Sequence, residues 1–284
     1  MRRKIEIPAR EVVLLNRKRP YFTIALLGVI VLGCLFAEVI MPCDPTKMNL
    51  AEVNQAPSTA HLFGTDTMGR DIFSMIWYGG RISLFIGCLA TLISTGIAMV
   101  YGCLAGLAGE WADDLLMRFT DILMSVPQIL PVIFIQAVFG EPTAFSMAAV
   151  IGITGWMAVS KMVRSEVRQM RRSEYVLAAR MMGGGFFYIL RTHLAPNFLP
   201  SILFMVVTNL GSAIAMEATL SYLGIGLPAN IISWGSLMAL SQKVLLTGSW
   251  WLLLMPGLFL AATLICFTEL GEWKRMNGRR ERLI

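Results

Sequence analysis

The sequence predicts an all-α integral membrane protein of six transmembrane helices, and three observations carry that expectation. Of 284 residues, 56% are hydrophobic and only 15% are charged, whereas a soluble domain is about 25% charged. Six apolar stretches each approach the roughly 20 residues that a helix needs to cross about 30 Å of hydrocarbon. Finally, 20 of the 24 Lys and Arg residues fall in segments that one orientation places in the cytoplasm, in line with the positive-inside bias.

Taken in order, residues 1–20 are a basic cytoplasmic tail, MRRKIEIPAREVVLLNRKRP, with no clear small-residue cleavage site in the apolar run after it. Residues 21–41 form the first span. Residues 42–82 form an external loop, in which Gly64 and Thr65-Asp66 supply a turn and a helix cap ahead of the mixed run Ile72 to Tyr78. That run is expected to be a short amphipathic helix lying along the outer interface. Residues 83–270 hold five further spans: Ser83 to Leu107, Leu115 to Phe139, Ala144 to Val163, Phe198 to Tyr222 and Trp250 to Leu270. Residues 271–284 are a second basic cytoplasmic tail. Only Lys47, Arg70, Arg81 and Lys243 are left on the outside.

Within the spans, Gly87, Thr91, Thr95, Ala98, Gly102 and Gly106 place small residues at nearly four-residue spacing, which lets helices approach closely. Pro127 and Pro131 must kink the third span, either as a static bend or beside a pathway. Arg118 and Asp121 are spaced to pair along one helix face. Glu38 and Glu217 are expensive in hydrocarbon and are candidates by default. Glu217 is expected near the outer mouth, pairing with a cation on another helix or subunit as a gate, or else only fixing the end of its helix. The five cysteines carry no CxxC spacing and read as small core residues. His61 and His193 are isolated, so no metal site is expected. A phosphate-binding Gly-x-x-x-x-Gly-Lys-[Ser/Thr] loop is absent from the sequence. The basic residues flank spans and form no continuous patch with stacking aromatics, so nucleic acid is not expected and membrane lipid is.

The cytoplasmic segment 164–196 is the least ordinary part. Arg164, Arg168, Arg171 and Arg172 form one cationic helix face suited to anionic head groups. Beyond them, apolar and small positions recur at helical spacing from Tyr175 to Leu190, interrupted by Gly183-Gly184-Gly185 at about 1 kcal/mol per Gly in a helix interior. Two short helices joined by a Gly turn are expected. Such an elbow would offer its apolar face to another protein, or pack it beneath its own bundle.

This segment resembles the coupling loop, or EAA motif, of binding-protein-dependent ABC importer permeases, Glu-Ala-Ala-x₃-Gly-x₉-Ile-x-Leu-Pro. Ala178, Ala179, Gly183 and Pro196 match, while Leu177, His193 and Ala195 replace the motif's Glu, Ile and Leu; Glu174 is the nearest carboxylate. Together "FGTDTMGRDIFSMIWYGGRISL", "DDLLMRFTDILMSVP", "SEYVLAARMMGG", "LAPNFLPSIL" and "EATLSYLGIGLP" resemble the C-type permease of dipeptide, oligopeptide and nickel importers, from about residue 20 to 275. The resemblance implies a type I importer permease fold in a prokaryotic cell membrane with both termini cytoplasmic. It implies a non-enzymatic subunit with no cofactor of its own, ATP and Mg being held by two partner ATPases. A homologous B-type permease and an extracytoplasmic substrate-binding protein would complete the assembly. Coupling would fall to Glu174, Ala178, Ala179, Arg180, Gly183, Gly184, Phe186, His193 and Pro196, with Glu217, Pro127 and Pro131 as gate or pathway candidates and Asp66, Arg70 and Asp71 in the external loop. The solute would be a peptide, with nickel or a metal chelate as the alternative. A secondary transporter is disfavoured because no internal repeat is evident. A membrane-embedded enzyme is disfavoured because no polar catalytic constellation is evident.

Overall fold

The computed structural model describes residues 20–170, 173–189, 191–192, 195–228, 230–242 and 248–283, and among them the regular structure is helical, with no strand. Backbone groups in hydrocarbon have no water to bond, so long apolar runs satisfy themselves as helices. Helices α1 (Tyr21–Leu35) and α2 (Ala37–Ile40) follow one another across Phe36. A lobe of turns, residues 41–71, leads into α3 (Ile72–Leu107), then α4 (Glu110–Ser125) and α5 (Ile129–Phe139). Next come α6 (Ala144–Thr154), α7 (Met157–Met170), α8 (Glu174–Met181) and α9 (Phe186–Ile189). The chain ends in α10 (Ala195–Tyr222), α11 (Trp234–Ser241) and α12 (Trp251–Leu283).

Helices occupy all six apolar stretches, though not as six straight rods. Ile72–Leu107, Ile202–Tyr222 and Trp251–Met276 are each long and apolar enough to cross a bilayer alone. Two further spans are bent pairs, α4 with α5 at 85° and α6 with α7 at 47°, and α1 is a shorter apolar helix. The 85° bend falls at Pro127, which cannot continue α4. Pro131 sits in the first turn of α5, where its missing N–H is not needed.

The expected interfacial helix Ile72 to Tyr78 is not separate. It is the first part of α3, which runs without a break through Arg81. Arg81 does not end the span because its charge turns back to α1: Nε donates to the Cys34 carbonyl at 2.7 Å, Nη2 to the Leu35 carbonyl at 2.9 Å, and Nη1 to Glu38 at 2.8 Å. These carbonyls are freed where α1 stops, so Arg81 caps that helix end. Glu38 is accordingly an exposed ion-pair partner.

Helix α3 is the shared element, packing against α1, α2, α4, α6, α7, α10, α11 and α12. Its small residues allow this: Gly87 meets Ile214 of α10, Gly102 meets Ser160 and Val163 of α7, and Gly106 meets Val167. Cys34, Cys103 and Cys266 are buried in this packing as expected, whereas Cys43 and Cys88 are exposed. Asp121 pairs with Lys161 of α7, not with Arg118 as its spacing suggested.

A Cβ on Gly102 would lie 2.6 Å from the Ser160 carbonyl oxygen, a backbone atom that cannot rotate away. Gly102→Val should therefore force α3 from α7 and destabilise the chain by about 1–3 kcal/mol. Gly96→Ala, where a Cβ meets nothing within 4 Å, should be neutral or slightly stabilising. Thermal unfolding of the two variants in detergent compares them directly.

Candidate functional site

Polar side chains gather at the two ends of α3. At its N-terminal end, Asp71 is the N-cap, accepting from the Ser74 N–H and Oγ at 2.8 and 2.7 Å. This corrects the expected cap at Thr65-Asp66. Asp66 instead closes its own turn, accepting from the Met68 and Arg70 N–H groups and binding the Arg70 guanidinium at 2.7 Å, with both side chains buried. His61 bridges Asp71 at 3.0 Å and Glu52 at 3.3 Å. The hydrogen bond to Asp71 raises the His61 pKa above its ordinary value, outweighing desolvation. Trp251, which opens α12, donates its indole N–H to the Thr65 carbonyl at 3.1 Å and so ties the lobe to the last span.

Close by, Glu217 of α10 is wholly buried and accepts three hydroxyl protons: Ser221 and Ser233 on Oε1 at 2.9 and 2.8 Å, and Ser83 on Oε2 at 3.0 Å. Each serine oxygen also accepts a backbone N–H, from Leu227, Ser236 and Trp234 respectively. That leaves each hydroxyl proton free for the carboxyl. The expected cation does not appear among these partners; hydroxyls on α3, α10 and the start of α11 replace it. Nor is "GIG" loose. Gly224 has φ +79° and closes a Schellman cap, with Ile225 N–H on the Leu220 carbonyl and Gly224 N–H on the Ser221 carbonyl.

At the opposite end of α3, Asp113 is buried and grips α7: Arg164 donates from Nε and Nη2 at 2.5 and 2.6 Å, and Arg168 lies 2.8 Å away. The cationic face expected to meet head groups is thus partly turned inward against α4. Arg171 and Arg172 lie outside the described residues.

The elbow forms as two short helices, α8 and α9, around the glycines. Gly183 has φ +79°, and the Gly184 N–H reaches the Ala179 carbonyl at 2.9 Å, the long bond of a Schellman cap. Its two faces part company. Val176, Ala179 and Ile189 are buried in a cluster with Val163, Val167, Cys103 and Ile202. Leu177, Ala178, Met181, Met182 and Tyr188 face outward, with Met181 and Met182 89% and 79% exposed. Ala179, expected on the docking face, packs under its own bundle instead. The side chains of Glu174, Arg180, Phe186 and Pro196 and the whole of His193 lie outside the described residues. Sequence reading missed Asp113, Ser83, Ser221, Ser233 and His61 as partners. Ser221 lies only four residues from Glu217 on the same helix, whereas Ser83 lies 134 residues from Glu217 and Arg164 lies 51 from Asp113, separations that no local pattern reveals.

Residues 98–273, which hold the elbow and Glu217 but not the lobe, match the family described as binding-protein-dependent transport system inner membrane component. Over 254 residues the chain is 36% identical to the dipeptide transport system permease protein DppC of Bacillus subtilis (strain 168), covering 88% of this chain and 79% of that one. It is 38% identical over 246 residues to the oligopeptide transport system permease protein OppC of the same organism, covering 87% and 80%. Over 262 residues it is 31% identical to a putative peptide permease protein of Brucella suis biovar 1 (strain 1330), covering 92% and 86%.

Two outcomes follow from the lobe-end geometry. Glu217→Gln keeps two of the three hydroxyl bonds and should cost about 1–2 kcal/mol, whereas Glu217→Ala orphans three donors and should cost about 3–5 kcal/mol, read as unfolding midpoints in detergent. Because His61 carries a raised folded pKa, its contribution is complete below the unfolded value of about 6.5 and is lost as pH rises through the folded pKa. Amide protection across residues 49–71, corrected for the intrinsic base-catalysed exchange rate, should therefore be greatest on the acid side of about 6.5, and His61→Gln should flatten the corrected profile.

Proposed function

Since the chain belongs to the family of binding-protein-dependent transport system inner membrane components, we propose that it is the C-type membrane subunit of an ATP-driven importer of di- and oligopeptides. It is a multi-pass membrane protein, and the peptide assignment rests on its similarity to dipeptide, oligopeptide and putative peptide permeases. A B-type permease would complete the pathway. A substrate-binding protein would deliver solute at the lobe, and two ATPases holding ATP and Mg would act from the elbow side. The split of cations between the two sides supports placing both termini and the elbow in the cytoplasm.

The observation that carries the coupling role is the two-faced elbow. Its outer face presents Leu177, Met181 and Met182, unbranched or flexible apolar side chains suited to fill a groove. On the inner face Val176, Ala179 and Ile189 share one buried cluster with residues of α3, α7 and α10. A force applied outside would thus reach three helices through packed contacts, as rigid-body coupling requires. Cargo selection would lie with the binding protein and the path, and energy with the ATPases.

Replacing both Met181 and Met182 by Asp should weaken retention of the ATPase subunits tenfold or more, since it removes two apolar anchors and would bury charge, while the permease pair stays assembled. Ala179→Asp should behave differently, lowering the stability of the membrane subunit itself. Normal ATPase retention by the double methionine variant would remove the elbow from this role.

A further inference from the structure

A cleft of about 630 Å³ opens at the lobe end, between α5, the end of α10 and α11. That is the size range of small-molecule sites. Its walls are chiefly apolar, with Ile133, Leu227, Ile232 and Leu237 among them. The polar groups that line it are nearly all committed. Arg70 is held by Asp66, Ser221 by Glu217 and the Leu227 N–H, and Ser236 by the backbone of Ile231 and Ser233. The Gln242 amide donates to the Tyr222 carbonyl.

Gln136 is the buried exception. It lines the cleft from α5 and is only 4% exposed, and its Oε1 has no hydrogen-bond partner among the described residues. Its Nε2 reaches the Ser146 hydroxyl at a long 3.4 Å. An acceptor buried without a donor costs about 1–3 kcal/mol, and native proteins keep few of them. A ligand that brings an N–H into the cleft removes the penalty. The donor called for is neutral, because among the described residues the one ion pair on the wall, Arg70 with Asp66, is already closed and offers no free carboxylate to a cationic ligand. The apolar surface around it suits hydrocarbon side chains.

We infer that this cleft binds the backbone of a short apolar peptide, with Gln136 Oε1 accepting one of its amide N–H groups. A tripeptide spans about 10 Å when extended, within the reach of a cleft of this volume. The inference rests on the peptide-import reading and adds to it a solute contact on the membrane subunit, separate from whatever the binding protein recognises. A site that hydrogen-bonds a substrate N–H also discriminates against analogues lacking it, because Gln136 is then left unpaired.

The test uses the whole importer in lipid nanodiscs without its binding protein, and trileucine carrying a diazirine on one side chain as photolabel. Label should enter peptides from 129–142 and 231–242, and Gln136→Leu should reduce it about tenfold. Trileucine methylated on both peptide nitrogens should compete about tenfold less well than trileucine on the unaltered complex, and equally well on the Gln136→Leu variant. The methylated competitor keeps the test valid even if the variant perturbs the fold. Equal labelling of both complexes, or equal competition by both peptides on the unaltered one, overturns the site. ATP-driven trileucine uptake with the binding protein restored reports separately on the peptide reading. If uptake proceeds equally with Gln136→Leu while labelling is unchanged, the site alone falls; if the unaltered complex takes up no trileucine, the peptide reading falls.

Discussion

Hydrocarbon supplies no hydrogen bonds, so a carboxyl carried into it must be met by donors from the chain itself, and at Glu217 that demand organises the lobe end of the bundle. Three serine hydroxyls satisfy it, one each from α3, α10 and the turn that starts α11. They can do so only if the three backbones come close. Gly235 permits this on α11, where a Cβ would lie 2.6 Å from Ala218 Cα. Gly80 does the same on α3, where a Cβ would meet Cys34 Sγ at 2.3 Å and the Trp234 ring at 2.8 Å. The buried Trp234 indole then donates to the Ile76 carbonyl at 3.0 Å, fastening α11 to α3 a second time. Small residues, aromatic anchor and carboxyl thus hold α3, α10 and α11 together at one place.

The far end of α3 repeats the logic with charge. Asp113 draws Arg164 and Arg168 inward, so that α4 and α7 are joined by a shielded ion cluster and not by apolar contact alone. Val163 and Val167 of α7 share a buried cluster with Val176, Ala179 and Ile189 of the elbow. The elbow is therefore docked on a helix that is itself anchored, which makes it an attached part of the bundle. Its exposed methionines carry the only side of it left for another protein among the described residues.

How far the sequence foretold this depends on the range of the interaction. Local signals were legible: apolar runs gave the spans, Gly183 the turn of the elbow, and the small-residue stripe the close face of α3. Long-range pairing was not. Ser83 and Ser233 look like ordinary span-edge hydroxyls until the fold sets them beside Glu217, and Asp113 lies 51 residues from Arg164. Arg81 misled for the same reason: a cation within an apolar run looks like a boundary, yet its donors are taken by carbonyls freed at the end of α1. Gln136 passed as one polar residue in an apolar run; only the cleft beside it gives its unmatched oxygen a meaning.

The two bent spans place their breaks together. Where a Cβ on Gly155 would sit, the Gln128 amide nitrogen is 3.4 Å away and the Asn209 side-chain oxygen 3.9 Å, and Asn209 in turn donates to Ser94 Oγ at 2.7 Å. Amides and hydroxyls thus surround the points at which α4 and α6 stop, as helix ends within a bilayer require. The consequence is mechanical. A displacement of the elbow that enters α7 meets a break before it reaches α6, and one that enters α4 meets an 85° turn. Helix α10 has no such break. It runs 28 residues, about 40 Å, from just after the elbow to Tyr222, with Glu217 near its far end. Of the helices that share the elbow's buried cluster, α10 ends at the carboxyl knot and beside the Gln136 cleft, so on the coupling role proposed above it is the unbroken helix that would carry movement from one face of the bundle to the other.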